Sequence, residues 1–257
     1  MLARLSESLL ACVQELIYEP CISLTRMEVQ DEICARGFAV LRRPADSEFD
    51  SVLASLGSVI HEEAICSNGA GDALLSSTDA LTPHTDHHAA HYIVWRCLEP
   101  AETGGDSVLV DGLALLKAMC PEHQSSLERV VLAEHSIFCG DNEEHPMVSI
   151  DSAGRTQIYY SYWLGTDRLA GKERAAFEAF ARALHVVPQK RIKLTSGDVL
   201  VVDNHRMLHG RTSIKGTRTR LLNRYWLAPE PKKKRVSGIY CGVPSDGPCD
   251  DTITIRN

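Results

Sequence analysis

Short apolar segments rich in β-branched and aromatic residues recur through this chain and limit the folds it can adopt. In chain order they are FAVLRR, HYIVWRCL, SVLVDG, TQIYYSYW, RIKLTSGDVLVVDNHRMLHGR and RTRLLNRYWLA. We interpret the fifth segment as two strands separated by its Ser-Gly turn, with His205 and His209 at the end of the second strand. Many short strands, with helical patterns mostly outside them, predict a β-rich α+β fold with a jelly-roll or barrel core and flanking α-helices.

Helical periodicity predicts α-helices that flank this core. Apolar residues at helical spacing predict an amphipathic helix at the N-terminus, and RMEVQDEICARG predicts a second helix that ends at Gly37. Further helices are predicted in SEFDSVLASLG, LALLKAMC, PEHQSSLERVVL and GKERAAFEAFARALH. We expect a single domain over residues 1–230 and an extended tail over 231–257. The tail begins with PKKKR, for which a nuclear-import signal and a solvated linker both remain open.

Composition excludes several classes of partner. The formal net charge is −7, which disfavours nucleic acid because phosphate binding needs a basic surface. No apolar run is long enough to cross a bilayer, so no membrane partner is predicted. Nine cysteines, an odd number without C-x-x-C spacing, favour free thiols and a reducing compartment, and we therefore predict a cytoplasmic protein. A small molecule is the expected partner, and a homo-oligomer remains open.

The segment PHTDHHAAHY, residues 83–92, holds four of the eleven histidines and allows two kinds of metal site. His84 and His88 are four residues apart, as in helical zinc sites of hydrolases. Pro83 and the strand that follows disfavour a helix, however. In an extended chain, His84 and Asp86 point to the same side. That arrangement is half of a two-histidine, one-carboxylate set, which holds non-haem Fe(II) and leaves coordination positions open.

The remaining parts of such a site lie far along the chain. His205 and His209 are the candidates for the second histidine. Arg218, Arg220 and Arg224 have the same parity in the last strand and therefore share one face of it. Leu222 and Trp226 belong to the same face, which indicates that it is partly buried and that its arginines have anionic partners. A cosubstrate with two carboxylates, such as 2-oxoglutarate, would need a buried arginine of this kind.

Together, HTD, CLEPAETGGDSVLVDG, GDVLVVDNHRMLHGR and RLLNR resemble the motifs of a known family. It is the superfamily of Fe(II)- and 2-oxoglutarate-dependent dioxygenases that includes taurine dioxygenase and γ-butyrobetaine hydroxylase. The resemblance extends over about Gly37 to Leu227, with the motifs in the same order. It implies a double-stranded β-helix, a jelly-roll core of cupin type, which agrees with the pattern of strands.

The resemblance also implies roles for individual residues. The metal ligands and catalytic residues would be His84, Asp86 and His209. The arginine for the far carboxylate of 2-oxoglutarate lies eleven residues after the second histidine in taurine dioxygenase-like members, which gives Arg220; Arg218 takes its place if the register slips by two. The cosubstrate would also be bound by the Ser107 hydroxyl and, with the substrate, by Arg224.

The implied reaction is hydroxylation of an unactivated C–H bond of a small molecule, with Fe(II), 2-oxoglutarate and O2, and with release of succinate and CO2. The substrate is amino-acid-like or a carboxylate, possibly of secondary metabolism. Desaturation or cyclisation by the same chemistry, a zinc hydrolase and a non-catalytic binding protein are the alternatives. Predicted substrate contacts are His87, His88, Asn204 and Arg224; Asn204 could instead shape a turn before His209. Betaine-binding relatives follow H-x-D with aromatics, which are lacking here.

Overall fold

The described part of the chain, in this computed structural model, comprises residues 26–67, 69, 76–133, 137–138, 144–165, 169–216 and 220–229. The amphipathic helix predicted at the N-terminus, residues 68 and 70–75, and the tail over 231–257 lie outside these residues. The single-domain organisation therefore stays a prediction. Within the described residues, no helix is both long enough and apolar enough to cross a membrane.

Two antiparallel sheets form the centre of the molecule. The larger has the strand order β1 (Phe38–Leu41), β12 (Val199–Asp203), β4 (Tyr92–Glu99), β15 (Arg220–Ala228) and β2 (Ser58–Ser67). The smaller has the order β11 (Lys190–Ile192), β6 (Ser107–Asp111), β13 (Met207–Arg211) and β3 (Leu81–His84). The predicted β-rich class is confirmed by these sheets.

Short strand pairs and helices complete the described structure. The strand pairs are β5 (Thr103–Gly104) with β14 (Ile214–Lys215), β7 (Val131–Ala133) with β8 (Glu144–Pro146), and β9 (Val148–Ile150) with β10 (Thr156–Ile158). The helices are α1 (Arg26–Arg36), α2 (Asp46–Leu56), α3 (Gly112–Ala118), α4 (Pro121–Leu127) and α5 (Gly171–Ala183). All five of these helices were predicted from the sequence.

The core has three apolar clusters in layers. Between the sheets, Trp95, Leu200 and Leu222 of the larger sheet belong to the same cluster as Leu109 and Ile192 of the smaller one. On the outer side of the larger sheet, α1 and α2 bury their apolar faces. On the outer side of the smaller sheet, α3, α4 and α5 do the same. The functional residues described below project into the middle layer, where each sheet shields them from water.

Three predictions of strands need correction. DVLVVDNHRMLHGR is two strands, β12 and β13, in different sheets, because Asp203 turns the chain: its side chain accepts a hydrogen bond from the His205 amide (2.9 Å). In TQIYYSYW the strand ends at Ile158, since the Tyr160 amide donates to the Thr85 hydroxyl (2.9 Å) instead of to a ladder. The strand β2 was missed, because its polar centre, His61 to Glu63, obscures the apolar alternation.

Candidate metal and cosubstrate site

Three buried side chains from two strands of the smaller sheet form a cluster. His84 ends β3 and stands opposite His209 of β13 in the strand register, and Asp86 follows β3. Nε2 of His84 lies 3.9 Å from Oδ1 of Asp86, and Nε2 of His209 lies 3.7 Å from Oδ2. One ligand atom from each residue lies within 4.8 Å of the others. The H-x-D pair and the distant His209 are therefore brought together, whereas His205 faces His91 instead.

The state of the two imidazoles suits a metal ion. Nδ1 of His84 lies 2.9 Å from the carbonyl oxygen of Thr82, which can only accept, so Nδ1 holds the proton and Nε2 has a lone pair. His209 is 6% exposed, and neither ring nitrogen has a hydrogen-bond partner among the described residues. A buried imidazole without partners is costly unless something binds it. Two nitrogens and one carboxylate match the donor set of non-haem Fe(II).

The Asp86 carboxylate is held by two side chains of β15. Nη1 of Arg224 donates to both oxygens, at 2.9 Å and 2.8 Å, and the Trp226 indole N–H donates to Oδ2 at 2.9 Å. Burial raises the pKa of Asp86, but Arg224, His209 and His84 outweigh it and hold the pKa far below its ordinary range. Asp86 is therefore a charged ligand before any metal arrives.

Asn204 organises the chain around Asp86. Its side-chain oxygen accepts from the Asp86 amide (2.9 Å), and its NH2 group donates to the carbonyls of Ala90 (2.9 Å) and His87 (3.2 Å). The residue is fully buried in the turn between β12 and β13. Of the two predicted roles of Asn204, these contacts support turn formation.

A pocket opens beside the histidines and ends at arginines. Its lining includes His84, His209, Ser107, Arg220 and Arg224. Thus the two predicted histidine ligands and the predicted cosubstrate residues line one cavity between the sheets, and Asp86 lies behind it, bonded to Arg224 of the lining. The predicted face of β15 is confirmed from Arg220 onward, since Arg220, Leu222, Arg224 and Trp226 are all buried. Arg218 lies outside the described residues.

Arg220 is a buried cation without an ion-pair partner among the described residues. It is 7% exposed, and its guanidinium makes no hydrogen bond with any of them. Burial, with the nearby positive charge of Arg211, lowers the pKa of Arg220 to about 10. A desolvated guanidinium in a pocket is unfavourable unless an anion fills the pocket. Ser107, at the start of β6, lines the same cavity and is also buried.

The two histidines after the metal cluster belong to an aromatic stack. The His87 ring stacks on His88, with centroids 4.4 Å apart, and His88 stacks on His145 at 4.0 Å. His87 also lies over Trp226 at 6.1 Å. His88 is therefore not placed with His84 in a metal cluster, which disfavours the zinc-hydrolase alternative.

Sequence reasoning missed three polar residues around this site. Glu63 stands opposite Arg224 in the register of β2 and β15 and accepts hydrogen bonds from its Nε (2.8 Å) and its Nη2. His61 lies 3.3 Å from Glu63 and packs on Trp226. Burial raises the pKa of Glu63, but His61 and Arg224 reverse this and lower it to about 2. The run of polar residues His61 to Glu63 in β2 was the sequence feature that could have pointed to His61 and Glu63.

Arg211, two residues after His209, is the third missed residue. It is 5% exposed and donates to the Ser67 hydroxyl (3.1 Å) and to the carbonyls of Ser77 and Asp79. These partners are in β2 and in the segment before β3. Arg211 therefore connects the strand of His209 to the chain that borders the pocket.

Known proteins resemble this chain in sequence and in structure. Human γ-butyrobetaine dioxygenase is 28% identical over 157 residues, which cover 53% of this chain and 41% of that protein. An asparagine oxygenase, solved with Fe(II), hydroxyasparagine and succinate, superposes with a TM-score of 0.64 at 15% identity over 79% of each chain. The non-haem iron oxygenase OrfP, solved with iron and α-ketoglutaric acid, gives a TM-score of 0.60 at 16% identity over 78% of each chain.

The match to human γ-butyrobetaine dioxygenase leaves more than half of that relative's length without a counterpart here. A family model covers far more of the chain. The model described as "Taurine catabolism dioxygenase TauD, TfdA family" matches residues 19–226, which include both sheets and every residue of the cluster and pocket. The chain therefore belongs to the TauD/TfdA family of dioxygenases.

Proposed function

We propose that this protein is an Fe(II)- and 2-oxoglutarate-dependent oxygenase that hydroxylates a C–H bond of a small, amino-acid-like molecule. The observation on which this rests is Arg220, a buried guanidinium without an ion-pair partner in the described part of the chain, in the same pocket as His84 and His209. A dicarboxylate that chelates a metal at one end would present its other carboxylate to such a group.

Five polar residues of the site have assigned parts in this function. His84, Asp86 and His209 would hold the metal, and Arg220 with the Ser107 hydroxyl would bind the far carboxylate of 2-oxoglutarate. When bound, Fe(II) with 2-oxoglutarate and O2 supplies the oxidising chemistry and yields succinate and CO2. The two sheets shield the pocket from water. We also propose that they are the two halves of a double-stranded β-helix.

An amino-acid-like substrate fits a charge on β2. Glu63 is partly exposed near the metal cluster and suits an ammonium group, whereas the charge of Arg224 beside it is already shared between Asp86 and Glu63. The asparagine oxygenase and OrfP have been solved with a hydroxylated asparagine and a hydroxylated arginine. His87 and His88 would form part of the wall around such a substrate.

The proposal is tested by anaerobic titration of the apoprotein with Fe(II) and 2-oxoglutarate, followed through the visible charge-transfer band of the chelate. Wild type should show the band, Asp86→Ala should lose it, and Arg220→Met should need at least about thirty times more 2-oxoglutarate, as expected when a buried charge partner is removed. Arg96→Met, which alters an arginine paired with the exposed Asp46, is the matched control. No band in iron-loaded wild type would refute the proposal.

Succinate release with a panel of amino acids then tests the substrate class. Turnover coupled to oxidation of an amino acid is the expected result. If only sulfonates or simple carboxylates couple succinate release to product, the amino-acid part of the proposal fails while the cosubstrate part remains.

A further inference from the structure

The indole N–H of Trp226 makes a hydrogen bond that the proposed reaction does not by itself require. It donates to Oδ2 of Asp86 at 2.9 Å, so Oδ2 accepts from both Trp226 and Arg224, whereas Oδ1 accepts from Arg224 alone among the described side chains. Oδ1 lies 3.9 Å from Nε2 of His84 and Oδ2 lies 3.7 Å from Nε2 of His209. A facial triad functions with one carboxylate oxygen on the metal, because the open positions must accept the cosubstrate and O2. Whether the second oxygen also binds the metal therefore matters for how many positions stay open.

Trp226 is held in place by packing against neighbouring aromatic rings. The indole is 2% exposed, lies in β15 between β2 and β4, and is packed against His61 at 4.7 Å between ring centroids. His87 stacks over it and Phe138 meets it edge-on at 6.2 Å. An indole N–H buried in this way has no alternative acceptor in solvent, so breaking the bond to Oδ2 would leave the donor unsatisfied.

Arg224 is the donor that can release its hydrogen bond to Oδ1 of Asp86. Its Nη1 contacts both oxygens of Asp86, while its Nε and Nη2 remain bonded to Glu63. When a cation binds Asp86, Nη1 can leave Oδ1 and the guanidinium still keeps Glu63 as its counterion. The indole, in contrast, has Oδ2 as its single hydrogen-bond acceptor among the described residues.

We infer that Trp226 is a positioning residue that reserves Oδ2 of Asp86, so that Oδ1 alone ligates the metal and the carboxylate cannot chelate it. This inference rests on the proposed function, because it assigns a task to Trp226 only if the triad binds a metal. Trp226 is neither a predicted ligand nor part of the pocket lining, and in this role it determines how many coordination positions are open. Partners of this kind commonly change metal affinity by tenfold to a hundredfold.

The test is metal binding by Trp226→Phe, which retains a ring and removes the N–H. Anaerobic titration with Co(II) reports affinity, and the intensity of the visible d–d bands reports the coordination number. We expect the dissociation constant to rise about tenfold or more, because Asp86 loses a donor that orients it, and the bands to weaken, because the freed Oδ2 raises the coordination number. Trp95→Phe is the matched control. Trp95 packs edge-on against His209, with ring centroids 4.8 Å apart, so this substitution removes a similar ring area beside another predicted ligand without removing a hydrogen bond to Asp86.

A second variant separates the hydrogen bond from the ring. Replacement of Trp226 by 3-benzothienylalanine exchanges the N–H for sulfur and preserves the bicyclic shape, so folding should be retained even if Trp226→Phe unfolds. We expect it to show the same loss of affinity and the same spectral change. Wild-type Co(II) affinity and spectra in this variant would overturn the inference. Failure of wild type itself to bind Co(II) would instead overturn the proposed function.

Discussion

Arg224 and Asp86 form a buried ion pair in which one guanidinium nitrogen, Nη1, donates to both carboxylate oxygens at 2.9 Å and 2.8 Å. Glu63 completes the arrangement on the other side of the guanidinium. In the absence of metal, one cation thus balances two carboxylates, and the burial of Arg224 makes that balance important for folding. Opposite charges raise the pKa of Arg224 although its burial acts in the other direction and is the larger single effect.

Arg224→Met should destabilise the metal-free protein by about 3–5 kcal/mol, because it leaves the buried Asp86 carboxylate without its arginine counterion. Co(II) should restore more stability to this variant than it adds to wild type, since the metal supplies positive charge at Asp86. Urea unfolding with and without Co(II) measures both effects. Arg96→Met, at a pair with an exposed partner, should cost less than about 1 kcal/mol. Equal costs for the two variants would contradict this account.

Asn204→Ala distinguishes the two roles considered for Asn204. If the side chain shapes the turn around Asp86, its loss should cost about 2–3 kcal/mol of stability and weaken metal binding about tenfold or more. Substrate KM in metal-saturated enzyme should then change little. Asn223→Ala is the control, because the Asn223 amide makes a long 3.4 Å bond to Tyr225 at a half-buried position. A raised KM with unchanged metal affinity would favour substrate contact instead.

Acid stability should depend on Glu63. Its pKa is lowered from 4.5 to about 2 in the folded protein, so its stabilising contribution is complete above about pH 4.5 and is lost as the pH falls toward 2. Allowing for its partial exposure, that contribution is on the order of 2 kcal/mol. Urea unfolding from pH 7 to pH 3 should therefore show a shallower decline for Glu63→Gln than for wild type. Glu62→Gln, at the exposed neighbouring position, should decline as steeply as wild type.

The pair His84 and Asp86 could be predicted from local spacing, whereas the choice of His209 and Arg220 among nearby candidates came from the resemblance to the family. H-x-D alternates on an extended chain, and the arginines of β15 share parity with two apolar residues. The partners of these residues could not be predicted in the same way. Glu63 meets Arg224 and His61 meets Trp226 through the register of β2 with β15, two strands about 160 residues apart in sequence.

The division of DVLVVDNHRMLHGR shows a second limit of the sequence. Both halves are apolar enough for one strand, and the hydrogen bond from the His205 amide to Asp203 is what turns the chain between the sheets. That turn places Asn204 under Asp86 and His209 opposite His84. Polar residues in the middle of an apolar segment were the available signal, and their meaning depends on the tertiary contacts they make.

Gly210 allows β13 to approach β3 closely, next to the position at which His209 stands opposite His84. A Cβ at this position would lie 2.2 Å from the carbonyl oxygen of Leu81 and 3.0 Å from the nitrogen of Pro83, both backbone atoms of β3. Gly210→Ala must therefore push β3 away from β13 and separate His84 from His209. We expect a loss of at least about 2 kcal/mol in stability and at least a tenfold loss in Co(II) affinity.

The control for Gly210 is Gly154→Ala. Gly154 has φ +78°, so alanine is strained there by about 1 kcal/mol, but no atom lies within 4 Å of the added methyl group. This variant should lose stability and retain full metal affinity, because its turn lies outside β3 and β13. Wild-type Co(II) affinity in a folded Gly210→Ala protein would show that the triad tolerates a wider separation of the strands. If Co(II) affinity falls in Gly210→Ala but not in Gly154→Ala, the close approach of the β3 and β13 backbones, and not stability alone, keeps His84 near His209.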